Sequence, residues 1–169
     1  IRGKLMNYRY LDSPIGSLLL AEERGALCII GFPSGKGRVV PEPDWIEEND
    51  CCEQAVIQLQ EYFAGERTVF ELTLAPTGTT FQLKVLNALL EIPFGETRSY
   101  ADIASMIGRP KAVRAVGTAN GRNPLPIVIP CHRVIGADGS LTGFGGGLDA
   151  KAYLLNLEGV QGCQSTLFD

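Results

Sequence analysis

The sequence predicts an α+β protein in two parts: an N-terminal sheet covered by one helix over residues 1–76, and a mostly helical part over residues 77–169. Three observations carry this. Short apolar or alternating runs bounded by turn residues fill the first 32 positions, and apolar residues then recur at helical spacing. Between the two patterns, Leu74-Ala75-Pro76-Thr77-Gly78-Thr79 has the composition of a connector. With 169 residues, 45% apolar and 20% charged, the balance is that of a folded globular chain and excludes disorder as the main state.

The runs 8–12, 17–21 and 26–32 read as three strands of an antiparallel meander, separated by Ser13-Pro14-Ile15-Gly16 and by residues 22–25. Residues 33–45, with three prolines, form a loop. Asp50 is expected to open a helix with Glu53 completing a capping box. Cys52, Ala55, Val56, Leu59 and Phe63 share its inner face, and Gly65 ends it. This half reads as a scaffold without a cluster of chemical groups. Residues 1–5, upstream of Met6, read as a remnant outside the fold.

Beyond the connector, a helix over 81–91 turns Phe81, Val85, Leu86, Leu89 and Leu90 toward a core and stops before Pro93. Ser99, with Asp102 at the box position, caps a short helix whose Tyr100, Ile103, Ala104 and Ile107 share a face; Gly108 ends it. Pro110 opens the next, with Val113, Val116, Gly117 and Asn120 inside. Asn123-Pro124-Leu125-Pro126 then delivers residues 127–134 as a buried, strand-like segment. Residues 143–147 form a flexible glycine loop, and a helix over 149–158 closes the domain with Ala152, Leu154, Leu155 and Leu157 available for packing.

The net charge of −4 hides an uneven distribution. Residues 98–133 carry Arg98, Arg109, Lys111, Arg114, Arg122 and Arg133 against Asp102, a local +5, while residues 1–97 carry −6 and residues 134–169 carry −3. Lys111, Arg114, Thr118 and Arg122 follow at helical intervals on the outer side of their helix. Two short helices joined at Gly108, with the small Ala104 four residues earlier, are the pattern of a helix-turn-helix. Any helical hairpin can share it and a basic stripe is often only a solvated face, so this feature alone leaves nucleic-acid contact open.

Five cysteines (Cys28, Cys51, Cys52, Cys131, Cys163) form an odd set without C-x-x-C spacing, and a single histidine cannot complete a zinc site of the usual type. The reading is reduced thiols in a cytoplasmic protein, with no metal and no cofactor. The longest apolar runs are too short for a membrane span or a signal segment.

The sharpest feature is Ile129-Pro130-Cys131-His132-Arg133-Val134, which places the only histidine directly after a cysteine. A thiol with a pKa of about 8.5 needs a base or a positive field to act as a nucleophile, and His132 is the one imidazole available. In a regular strand the two side chains would point to opposite faces. Either the backbone turns here or a water carries the proton between them. The bland alternative is a buried small hydrophobe beside a structural histidine.

Residues 81–159 carry, at fixed intervals, Ile92-Pro93-Phe94-Gly95-Glu96-Thr97, Ser99-Tyr100, Arg114-Ala115-Val116, Asn123-Pro124, the cysteine hexad, and Leu154-Leu155 with Glu158. This combination resembles the O6-alkylguanine-DNA alkyltransferase family. The resemblance implies a ribonuclease-H-like N-terminal domain and a winged-helix-like helix-turn-helix C-terminal domain. It implies a single-turnover repair protein that flips the damaged nucleotide and moves its alkyl group to Cys131, with O4-alkylthymine left open as a second substrate. His132 would take the thiol proton through water, oriented by Glu158; Tyr100 would donate toward the departing guanine; Asn123 would brace the cysteine segment. Arg114 would fill the vacated space in the duplex, and Tyr100, Ala101, Arg109, Lys111, Thr118 and Arg122 would meet DNA in the minor groove, with Ala115, Gly117 and Ala119 small enough for close approach. Val134, Phe144 and Gly145 would form the alkyl and base pocket. The implied partner is alkylated double-stranded DNA, bound by a monomer, with cooperative assembly on DNA left open, in a bacterial cytoplasm or nucleoid, with no membrane.

The sequence departs from the family at Leu86, where a tryptophan is common, and at Phe144, where a tyrosine is common. Gly145 has no hydroxyl to place near O6, so a contact there falls to a backbone N–H. The zinc of some relatives' N-terminal domains has no histidine-containing site here, and Cys51-Cys52 reads as part of a helix face. The runner-up, a relative that binds lesions without repairing them, replaces the acceptor cysteine, and Cys131 argues against it. A hydrolase would need a separate histidine, and a plain regulator would leave residues 130–133 without a reason.

Overall fold

The computed structural model describes residues 5–162; residues 1–4 and Cys163 lie outside them. The first half is a four-stranded sheet in the order β3-β2-β1-β4. β1 (Asn7–Ser13), β2 (Gly16–Glu23) and β3 (Ala26–Gly31) form the expected antiparallel meander. Arg24 and Gly25, both at positive φ (53° and 80°), make the two-residue turn that matches strand twist. β4 (Ile46–Glu47), a two-residue strand that the sequence does not announce, pairs parallel to β1.

β2 is buried on both faces. Leu18 and Leu20 point into the main core under α1 (Glu53–Phe63), while Leu19 and Ala21 join Met6 and Cys28 in a second cluster closed by Val39 and Trp45. The start of α1 differs from expectation. Asp50 is no cap: the N-cap is Cys52, in the left-handed region (φ 56°, ψ 32°) and without a side-chain cap bond. Cys51 and Cys52 are buried, so the chain folds inward before the helix begins, and Cys52 stands outside the helical face assigned to it.

The second half contains α2 (Thr80–Leu89), α3 (Tyr100–Met106), α4 (Val113–Gly121) and α5 (Leu148–Leu157). Thr79 with Gln82, and Ser99 with Asp102, form complete capping boxes. Gly108, at φ 74°, turns the chain between α3 and α4, and Arg109 N closes the turn on Ala104 O at 2.9 Å. Three expectations shift. α4 begins after Pro110, at Val113; Val113 (38% exposed) and Leu90 (48%) face out; and Ala119 faces the core, not a partner. β5 (Arg98–Ser99) and β6 (Val134–Ile135) pair in parallel, attaching the cysteine segment to the start of α3.

One apolar core runs from Leu11 to Leu154 through both halves. The glycine loop is likewise docked rather than free. Gly37 N donates to Gly145 O at 2.9 Å, and the Phe144 ring packs edge-on against Phe32 at 5.3 Å. A Cβ on Gly37 would lie 2.6 Å from the Phe32 ring and 2.9 Å from the Gly145 backbone carbon. Gly37→Ala is therefore expected to cost about 1–3 kcal/mol through overpacking, read as a lower urea midpoint; an unchanged midpoint would show that the clasp does not constrain the two loops.

Candidate active site

The cysteine segment is not a strand. Residues 131–133 form a single 3-10 turn, with Arg133 N bonded to Pro130 O at 3.0 Å, so the backbone does turn at Cys131 and His132. The approach to it is stitched by Asn123, whose Nδ2 donates to Ile129 O at 2.8 Å and whose Oδ1 accepts from Leu125 N at 3.0 Å. Within that span Ile127 is fully buried at φ 76°, a conformation that a β-branched residue adopts only when its surroundings impose it. Asn120 adds a 3.5 Å contact from Nδ2 to the Cys131 carbonyl.

Behind the turn lies a buried carboxylate. Glu158 closes α5 and accepts from His132 Nε2 (2.7 Å), Arg133 Nε (2.7 Å) and Nη2 (3.1 Å), the Tyr62 hydroxyl (2.6 Å) and Gly95 N (3.3 Å). Burial alone would raise its pKa, but hydrogen bonds from His132, Arg133 and Tyr62 outweigh it and hold the carboxyl at about 2. The same burial and the adjacent charge push the Tyr62 phenol up. An ionised carboxylate only accepts, so His132 Nε2 carries the hydrogen and Nδ1 is the unprotonated nitrogen. His132 Nδ1 is buried with no hydrogen-bond partner among the described residues, and burial keeps the ring pKa below its ordinary value against the pull of Glu158. The site thus presents a neutral imidazole with its basic nitrogen unused.

Cys131 itself is buried (5% exposed). Burial pushes its thiol up to about 11, against a hydrogen bond from Asn123 and the positive charge of Lys151. Lys151 is fully buried and donates to Val134 O at 2.6 Å and Thr142 O at 3.1 Å. Beside Cys131 opens a cavity of about 370 Å³ walled by Asn123, Phe144 and Gly145 from the second half and by Phe32, Lys36 and Gly37 from the first. The N-terminal half is therefore more than a scaffold: it forms one wall.

Two of the predicted site residues lie off this cavity. Val134 does not line this cavity; it is fully buried in β6, where it pairs with Arg98. Tyr100 does not line it either, and its hydroxyl bonds to Thr142 Oγ1. Ala101, Arg109, Lys111, Arg114, Thr118 and Arg122 are all exposed on or beside α3 and α4, and Arg122 also reaches the cavity rim. Sequence reasoning missed Tyr62, Thr142, Gly95 and Lys151. Only Lys151 left a signal, a lysine between Ala150 and Ala152 on the apolar side of α5.

Comparisons with known proteins agree with this geometry. Residues 6–76 match the family model described as "6-O-methylguanine DNA methyltransferase, ribonuclease-like domain", and residues 80–160 match "6-O-methylguanine DNA methyltransferase, DNA binding domain". A methylated-DNA–protein-cysteine methyltransferase of Methanosarcina acetivorans is 53% identical over 91% of this chain and 99% of its own. One of Mycobacterium leprae is 49% identical over 98% of this chain and 100% of its own. Among solved structures, Mycobacterium tuberculosis OGT in complex with DNA superposes with a TM-score of 0.85 at 50% identity, over 90% of this chain and 92% of that one. The O6-methylguanine methyltransferase of the same organism gives 0.84 at 48% identity, over 98% and 100%. The chain belongs to the 6-O-methylguanine DNA methyltransferase family.

Proposed function

We propose that the protein repairs duplex DNA by transferring the alkyl group of O6-alkylguanine to its own Cys131, once per molecule. One observation carries the reading: the thiol beside the cavity is followed directly by a neutral histidine locked to a buried carboxylate, in a half whose α4 and its flanks expose Arg109, Lys111, Arg114 and Arg122. The relatives' names and the OGT complex with DNA support the same reaction and partner.

On this reading Cys131 Sγ attacks the alkyl carbon in line. The S–C bond forms as the C–O6 bond breaks, and the electron pair leaves on guanine O6. The thiol proton passes through a water to His132 Nδ1, the one basic nitrogen at the turn, while Glu158 stabilises the imidazolium that results. The Tyr100 phenol exchanges its bond to Thr142 Oγ1 for the bound nucleotide and donates toward the departing base. Asn123 and Lys151 favour the thiolate against the burial that opposes it. The product is a thioether without a route back, so each molecule acts once.

A stacked guanine cannot reach a buried thiol, so the nucleotide leaves the helix at a cost of a few kcal/mol. Arg114, exposed on α4, fills the space it vacates. We assign α4 to the minor groove, where width and backbone matter more than base identity, which suits repair in any sequence context. Ala101, Arg109, Lys111, Thr118 and Arg122 flank Arg114 as contacts to the strand, and binding weakens with salt as counterions are released. We further assign residues 1–76 and 77–169 as the two domains, and a monomer as the form that acts.

Incubation with an O6-methylguanine duplex followed by peptide mass spectrometry tests the reaction. One methyl group on the Cys131 peptide, saturating at one per chain, is expected; an unmodified Cys131 after lesion binding contradicts it. Arg114→Ala should slow repair in duplex DNA at least about tenfold more than reaction with a free O6-alkylguanine base, as a lost flipping contribution of over a kcal/mol requires. Equal losses on both substrates would remove Arg114 from the flipping step.

A further inference from the structure

Outside the Cys131 cavity, three ligand-type side chains converge where β2 meets the start of α1. The Sγ atoms of Cys51 and Cys52 and a carboxylate oxygen of Glu22 all lie within 4.8 Å of one another. Adjacent residues in an extended chain point apart. Here the left-handed backbone of Cys52 brings both thiols to one side, a conformation that disfavours any residue with a Cβ and that no side-chain cap rewards.

One further feature points to a cation. Cys52 and Glu22 open onto a cavity of about 350 Å³ whose other charged walls are Asp50, Glu53 and Glu71; no basic residue lines it among the described residues. On the adjacent strand, the Arg9 guanidinium donates through Nη1 to Asn49 O and is close enough to act on both thiols, while its buried Nε has no hydrogen-bond partner among the described residues. Two thiolates and a carboxylate around a divalent ion leave one net negative charge, which Arg9 offsets.

We propose that Glu22, Cys51 and Cys52 bind a thiophilic divalent cation of the zinc type, pinning the N-terminus of α1 to the end of β2. Two sulfurs and one oxygen suit zinc and exclude magnesium or calcium as the preferred ion. Tetrahedral bonds of about 2.3 Å to sulfur and 2.0 Å to oxygen place the ligand atoms roughly 3.5–3.8 Å apart, so closing the site needs about 1 Å of side-chain movement. The fourth position faces the acidic cavity and is open to water or to Glu53. The site is independent of the alkyl-transfer chemistry, because none of its residues lines the Cys131 cavity.

Cobalt titration of the reduced protein tests this, with the thiolate-to-cobalt absorption and its displacement by zinc as readouts. One cobalt per chain in a tetrahedral thiolate spectrum is expected for the wild type and for Cys131→Ser. The signal should vanish in the Cys51→Ser, Cys52→Ser double variant, and binding should weaken at least about tenfold in Glu22→Gln, which keeps both thiols. Zinc should raise the melting temperature of the wild type and leave that of Glu22→Gln nearly unmoved at the same concentration. Absence of the thiolate band, its loss in Cys131→Ser, or unchanged affinity in Glu22→Gln would overturn the proposal.

Discussion

The second half of the molecule depends on the buried carboxylate of Glu158. It joins α5 to the cysteine turn through His132 and Arg133, to α1 through Tyr62, and to the loop before β5 through Gly95. A lone carboxylate in such a place would be neutral or would unfold the site. Here Arg133 supplies the opposite charge, with its other nitrogen on Ile92 O at 2.6 Å, so neither ion is left without partners. Removing one member of such a group strands the other, which costs roughly 3–5 kcal/mol where buried pairs have been broken. Position and protonation are thereby set by one group: the carboxylate that holds the turn in place also decides which nitrogen of His132 is basic.

Cys131 is poised in the opposite sense. Burial holds the thiol protonated at rest, while Asn123 and Lys151 keep the anion within reach. On the proposed reaction this arrangement suits a protein that acts once. A permanent thiolate would be open to oxidation and stray alkylation, whereas a thiol activated beside its base is spent only when an alkyl carbon occupies the cavity. The wall contributed by Phe32 and Gly37 gives the N-terminal half a share in shaping that cavity.

Where structure is set locally, the sequence carried it. The meander, the Ser99–Asp102 box and the glycine turn at Gly108 each need only a few neighbouring residues. Where partners come from elsewhere, local reading failed. Asp50 and Glu53 satisfy the capping pattern, but burial of Cys51 and Cys52 against the sheet decides where α1 starts. The apolar run at 127–134 looks like a strand, yet side-chain bonds from Asn123 and Arg133 fold its centre into a turn. Tyr62 stands 96 residues from Glu158, and nothing around it in the chain marks its hydroxyl for that carboxylate. The tie between Glu158 and His132 was likewise visible only through family resemblance.

Because His132 is the only histidine in the chain, its protonation can be read without assignment ambiguity. Nitrogen NMR on histidine-labelled protein should show, at neutral pH, a proton on Nε2 and none on Nδ1. Burial lowers the ring pKa, so this neutral form should persist as the pH falls through about 6.5, where a free histidine would already be half charged. A proton on Nδ1 with Nε2 bare, or a doubly protonated ring at neutral pH, would contradict the account, since the nitrogen meant to receive the Cys131 proton would then be occupied.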